Sequence, residues 1–256
     1  MASIELRNIS KIFTDPKRGE LLTLDNISLD IEVNDFLCLL GPSGCGKSTL
    51  LNIVAGFEQP TSGTALVDGI PIERPGSDRG VVFQHPTLMP WLDVIENISL
   101  SLRLCGMSRS ERHERAKEFI DLVGLKGFEH HFPSELSGGM NQRVGIARAL
   151  LMNPRVILMD EPFAALDAQT KLEMQEELVA IWERRRCTIV FVTHSVDEAL
   201  VLGNRIAVMT RRPGRIREIF DFDLPRQRDI TSPLFNDAKR HVLSLIREES
   251  TKVVSP

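Results

Sequence analysis

The sequence has no tyrosine, only two tryptophans and only four cysteines in 256 residues. Cys38, Cys45, Cys105 and Cys187 never fall at C-x-x-C spacing, and no histidine pair accompanies them at the spacing of zinc ligands. That argues against a disulfide framework and a zinc ribbon, and free thiols in a reducing cytosol are expected. No apolar stretch approaches the roughly 18 residues of a membrane span. The longest runs, Phe36–Leu40 and 156–159, have the length of buried strands. An excess of positive charge is also missing: 31 Lys and Arg face 35 Asp and Glu, for a net charge of -4. Broad electrostatic binding to nucleic acid is therefore not expected. The opening MASIELRNISKIF carries Glu5 and has no apolar h-region, so it does not read as a signal peptide. Internal repeats and low-complexity segments are absent as well.

What remains is an ordinary globular composition, with 42% hydrophobic and 26% charged residues. The length suits one large domain, or a core that carries subdomains. Residues 3–12 and 24–33 alternate apolar and polar positions and predict strands, separated by a turn over 15–19 that contains Pro16 and Gly19. Phe36–Leu40 is continuously apolar, as in a central strand buried on both faces. It leads into a glycine-rich loop and a helix from about Lys47. Short strands are predicted at 63–68 and 80–83. Helical patterns then dominate, over 94–104, 109–123 and 139–152. Strand 156–159, helix Ala168–Arg185, strand 188–192, strands Arg205–Met209 and 216–220, and a terminal helix 236–249 with a frayed TKVVSP end follow. This order predicts an α/β nucleotide-binding domain over 1–235, with a helical subdomain over about 88–152 inserted in its core. Residues 236–256 form a C-terminal helix and tail.

Three motifs carry chemistry. Gly41-Pro42-Ser43-Gly44-Cys45-Gly46-Lys47-Ser48-Thr49 matches G-x-x-x-x-G-K-[ST], between a buried strand and a helix. Glycines let backbone N–H groups converge on phosphate oxygens without interference from a Cβ, and the following helix adds its positive end. Lys47 is placed to reach the β- and γ-phosphates and Ser48 to ligate Mg²⁺. The second motif is the apolar strand that ends in Asp160-Glu161. Asp160 suits a further Mg²⁺ contact, and Glu161 the general base for an attacking water.

The third motif is Leu136-Ser137-Gly138-Gly139-Met140-Asn141-Gln142-Arg143. Ser137 can cap a helix, and the two glycines expose the amides of its first turn, making a second anion site. Because one ATP has a single γ-phosphate, a second phosphate-binding helix end points to use in trans. This segment resembles the L-S-G-G-Q signature of ATP-binding cassette proteins, and the resemblance spans about residues 4–220.

The resemblance implies a P-loop ABC ATPase cassette: a RecA-like core, an antiparallel β subdomain and a helical subdomain. It implies ATP and Mg²⁺ as ligands, a second copy paired head to tail, and a transmembrane permease. A periplasmic or surface binding protein is implied indirectly. The place of work would be the cytoplasmic face of the cell membrane, peripherally. Residue by residue, Gln84 resembles the glutamine that senses Mg²⁺ and permease. Ala165-Leu166-Asp167 resembles the loop that signals across the dimer, and His194 the switch histidine at the γ-phosphate. Alone, His194 would read as a capping or core histidine; its place after a strand favours the switch. Phe13 resembles the ring that stacks on adenine, with a plain core residue as the alternative. Two departures stand out: Met140 replaces the usual signature Gln and cannot donate its amide hydrogen bonds, and Phe13 replaces the usual Tyr.

The segments 88–94, Arg211-Arg-Pro213-Gly214-Arg215 and Asp223-Leu-Pro225-Arg226 are similar to the nitrate, sulfonate and taurine branch of importers. Pro90-Trp91 reads either as part of a groove for a permease helix or as a staple between the helical insertion and the core. Arg211–Arg215 reads as a solvated hairpin. A soluble ABC ATPase of a cytosolic assembly complex is the alternative function; it would co-purify with soluble partners rather than a permease.

Overall fold

A computed structural model describes residues 2–17, 19–164, 166–222, 224–226 and 228–251, the side chains of 248–251 apart. The chain divides into two compact units, Met1–Gly76 with Ile181–Pro256, and Ser77–Ala180. The first unit begins with β1 (Ile4–Asp15) and β2 (Gly19–Ile31). Next come β3 (Phe36–Leu40), α1 (Lys47–Ala55), β4 (Ser62–Val67) and β5 (Ile70–Pro71). The second unit holds β6 (Arg79–Val82), α2 (Val94–Ile98), α3 (Leu100–Leu104) and α4 (Arg109–Leu122). It continues through a 3-10 turn at Pro133–Glu135 to α5 (Gly138–Leu151) and β7 (Val156–Asp160). Helix α6 (Ala168–Arg185) begins in the second unit and ends in the first. The chain then forms β8 (Thr188–Thr193), α7 (Val196–Leu202), β9 (Arg205–Met209), β10 (Ile216–Asp221) and α8 (Pro233–Thr251).

In the first unit β2-β1-β4-β5 form an antiparallel sheet. A second set of strands runs in the order β10-β9-β3-β8, with β3 parallel to both β8 and β9. Every residue of β3 and β8 is buried, which explains their unbroken apolar sequences. Helix α1 packs on β2, β4 and β8, while α7 packs on β3 and β8. In the second unit β6 and β7 pair in parallel, and α5 packs against β6, α2 and α4.

Most predicted elements occupy their expected places. The turn over 15–19 is tighter than expected, since Asp15 already pairs with Gly19. The single helix expected over 94–104 is two, because Ser99 interrupts it. Its Oγ donates to the Ile95 carbonyl at 2.7 Å and accepts from Arg112 Nη1 at 2.7 Å, a side-chain bond that competes with the helical ladder. Helix α7 was not expected; seven residues are too few for a period to show. Its start is nonetheless written in Ser195 and Glu198, three apart, and Ser195 Oγ accepts from the Glu198 amide at 3.3 Å. Residues 252–256, most of the expected tail, lie outside the described residues.

The helices of the second unit meet at a charged junction. Glu96 on α2 has Arg112 Nη1 at 2.6 Å and His113 Nε2 at 2.8 Å, both from α4. The Arg112 hydrogen bond comes first in holding the Glu96 carboxyl down at about 2, against the opposing effect of burial. A carboxylate whose folded pKa is depressed stabilises the fold above its unfolded value and ceases to do so as pH falls through the folded one. Glu96→Gln should therefore lower stability near neutral pH by about 2–3 kcal/mol. The gap between variant and wild type should close between about pH 4.5 and about pH 2. Thermal melts across that range check this, and a gap that does not change with pH would refute it.

Candidate active site

The phosphate-loop motif sits in the first unit, where β3 runs into α1. Gly46 stands at the N-cap of α1 with φ 104°, and no side chain caps the helix. A helix start without a side-chain cap is the kind of end that binds anions. Gly44 is also left-handed, at φ 75°. A Cβ on Gly46 would come within 2.6 Å of Leu24 Cδ2, so glycine is needed there for space as well as for conformation. Lys47 is only 4% exposed. Its Nζ folds back to donate to the carbonyls of Gly41, at 2.8 Å, and Pro42, at 3.1 Å. Ser48 is exposed in the first turn of α1. Cys45 is buried, and burial raises its thiol pKa above the ordinary value.

His194 lies one residue beyond β8. Since Leu40 pairs with Thr193, Gly41 and His194 leave adjacent parallel strands at the same carboxyl edge, where α/β proteins bind ligands. Both flanks of His194 are pinned. The Ser195 amide donates to Thr193 Oγ1 at 3.0 Å, and the Thr193 hydroxyl bonds the buried Glu198 carboxylate. Phe13, on β1, is 38% exposed, so the plain core alternative fails. Lys11 Nζ lies 4.9 Å from its ring centroid.

The second unit gathers the carboxylates and the signature segment. Val82 pairs with Met159, so Phe83-Gln84 and Asp160-Glu161 emerge side by side at the end of β6 and β7. Glu161 has φ 43° and Thr87 φ 39°. For residues other than glycine, asparagine and aspartate such backbone costs roughly 1–3 kcal/mol and tends to mark functional segments. Ser137 caps α5 as expected, its Oγ accepting from the Met140 amide at 3.2 Å. A Cβ on Gly139 would lie 3.0 Å from Thr170 Cγ2, whereas one on Gly138 would meet nothing within 4 Å among the described residues. Gln84, Leu88, Pro133, Gly138, Asn141 and Leu166 are among the residues lining one cavity of about 340 Å³. Asp167 caps α6, accepting from the amides of Gln169 at 3.1 Å and Thr170 at 3.0 Å. The Thr170 hydroxyl bond leads in lowering its carboxyl pKa. Ala165 lies outside the described residues.

Several supporting residues escaped the sequence reading. Arg148 on α5 donates to the Pro86 carbonyl at 3.1 Å and the Thr87 carbonyl at 3.0 Å, which anchors the segment after Gln84. Asn97 is fully buried and bonds Met89, Leu92 and Asp93, so it fixes the loop that presents Trp91. Trp91 itself is 70% exposed. Nor is the arginine hairpin simply solvated: Arg215 pairs with Asp25, and Arg212 reaches the phosphate loop. A polar side chain facing inward from a helix leaves a faint period in the sequence, but its backbone partners leave none.

Taken singly, the Ser48 hydroxyl in the first unit and the Asp160 carboxylate in the second are hard oxygen donors of the kind Mg²⁺ takes.

Comparison with known proteins places this geometry. A family model described as ABC transporter matches residues 24–164. The taurine import ATP-binding protein TauB of Rhizobium johnstonii is 53% identical over 80% of this chain and 78% of its own length. The nitrate import ATP-binding protein NrtD of a Synechocystis species is 48% identical over 87% of this chain and 83% of its own. Among solved structures, a dimeric ATP-binding cassette in a post-hydrolysis state with ADP and Pi aligns with a TM-score of 0.77. It is 34% identical and covers 87% of this chain and all of that one. Motif, fold and sequence similarity agree: the chain belongs to the ABC transporter family.

Proposed function

We propose that this protein is the ATP-binding and ATP-hydrolysing subunit of an ABC importer for a small anion such as nitrate, a sulfonate or taurine. The observation that carries the reading is the phosphate loop, with its buried Lys47 and its uncapped helix end. Relatives named for taurine and nitrate import support the branch. Residues 88–152 act as the helical subdomain of the cassette, and 236–256 as a C-terminal extension.

Gly41, Pro42, Ser43, Gly44, Cys45, Gly46, Lys47, Ser48 and Thr49 bind the nucleotide phosphates, and Phe13 offers its exposed ring to adenine. Ser48, Gln84 and Asp160 would hold Mg²⁺, which would supply positive charge to offset that of the phosphates. Glu161 accepts a proton from water as its oxygen attacks the γ-phosphorus. The bond from that phosphorus to the β,γ-bridging oxygen breaks, leaving ADP and phosphate. His194 orients the γ-phosphate. Two copies pair head to tail, so that Ser137, Gly138 and Gly139 of one copy face the nucleotide of the other. The space at Gly138 supports this, because among the described residues a Cβ there would meet nothing within 4 Å. Asp167 lies in the loop that links the two sites. The permease is met through the cavity beside Gln84 and the exposed Trp91, at the cytoplasmic face of the membrane. Among the described residues no helix is long and apolar enough to cross one.

Glu161→Gln should reduce ATP turnover by on the order of 10²–10⁴-fold and trap an ATP-bound dimer. Steady-state ATPase assays and gel filtration with ATP test this; ordinary turnover would show that another group is the base. With a thiol reagent at mildly alkaline pH, the exposed Cys105 should react first and Cys45 slowly, because Cys45 is buried and its pKa is raised by burial. ATPase activity should fall in step with Cys45 labelling, and ATP should slow both. Full activity with Cys45 labelled, verified by peptide mass, would remove Cys45 from the nucleotide site.

A further inference from the structure

The turn between β9 and β10 lies against the phosphate loop, not in open solvent. Arg212 donates to the Gly44 carbonyl from Nε at 3.0 Å and from Nη2 at 2.9 Å. Two residues on, Gly214 passes so close that a Cβ on it would stand 2.1 Å from the Cys45 carbonyl oxygen. That glycine is tied in turn to the strand beside the loop. Its amide donates to the Thr23 carbonyl at 2.8 Å, and its carbonyl accepts from the Asp25 amide at 3.0 Å. Thr23 and Leu24 flank Gly46, and Met209, at the end of β9, flanks Gly41. The 209–215 segment thus touches the loop at Gly41, Gly44 and Cys45.

From these contacts we infer that Arg212 and Gly214 are positioning residues of the nucleotide site. The forked guanidinium grips the Gly44 carbonyl and so orients the peptide plane whose amide belongs to Cys45. With that carbonyl held outward, the N–H at the peptide's other end stays on the inner side of the loop, where it donates to the Pro42 carbonyl at 3.3 Å and where a phosphate oxygen would compete for it. Gly44 has a left-handed backbone that would relax readily without such a hold. Gly214 lets the turn approach closely enough for the grip to form. The inference deepens the nucleotide-binding reading above and rests on it.

The role predicts a specific pattern. Arg212→Met removes both bonds; Arg212→Gln keeps one donor without the charge; Gly214→Ala pushes the turn off Cys45. Affinity for a fluorescent ATP analogue and for its ADP counterpart should fall together, by about five- to tenfold for Arg212→Met. The effect should be smaller for Arg212→Gln and at least as large for Gly214→Ala. KM for ATP should rise with kcat nearly unchanged, because phosphate binding is weakened and no proton donor or acceptor is lost. Melting of the nucleotide-free Arg212→Met protein should stay within about 2 °C of wild type, since the side chain is exposed. Lys47→Ala serves as the control. If wild type binds, Lys47→Ala does not, and Arg212→Met binds like wild type, the positioning role is refuted while the nucleotide site stands. If wild type itself fails to bind, both fall. A drop in melting temperature with unchanged affinity would mark the turn as structural support only and would also overturn the inference.

Discussion

Much of the first unit answers to one demand, the burial of the Lys47 ammonium. A cation taken out of water needs dipoles around it. Here they are the carbonyls of Gly41 and Pro42, supplied by the loop that the same lysine closes. For the loop to curl that far its backbone must turn left-handed at Gly44 and Gly46, which explains glycine there better than flexibility does. The strand before it must be rigid, and β3 is, buried along its whole length between β8 and β9. Where phosphate arrives, the ammonium finds a stronger partner than carbonyl oxygen, and the amide end of α1 points the same way.

The starts of α1 and α5, the helix ends proposed to meet phosphate, are built differently. Helix α1 starts with a glycine cap, and no side chain of the cap residue takes its first amides. Helix α5 starts with Ser137, whose hydroxyl takes the Met140 amide. An uncapped end suits tight, resident phosphate binding. A capped end followed by Gly138, where a Cβ would meet nothing within 4 Å among the described residues, suits a surface that is complete by itself and engages an anion only when one is brought to it. This difference is the physical basis for assigning the first site to the bound nucleotide and the second to the nucleotide of a partner.

The parts legible in the sequence were those where burial and function impose a pattern. The apolar runs of β3 and β7, the alternation in β1 and β2, and the long period of α6 follow directly from which faces are buried. The motif residues were legible because phosphate chemistry demands particular side chains at fixed spacing. Contacts that depend on backbone partners were not. Ser99 breaks a helix by bonding Ile95, Asn97 organises a loop through three carbonyls, and Arg212 was read as solvated although it binds Gly44. In each case one partner is a peptide group, which every residue has, so no sequence position announces it.

The same reasoning bears on Met140, the clearest departure from the family signature. What that position contributes to the described fold is its amide, bonded to Ser137 Oγ at 3.2 Å. The cap therefore forms whatever side chain stands there. A Gln side chain there could donate amide hydrogen bonds that Met cannot, whereas the half-buried thioether is soft enough to pack against an apolar neighbour. The amides of Gly138 and Gly139 are unaffected by the exchange. The proposed role of the signature segment at a partner's nucleotide therefore rests on its backbone amides and on the Ser137 cap, which the exchange leaves in place.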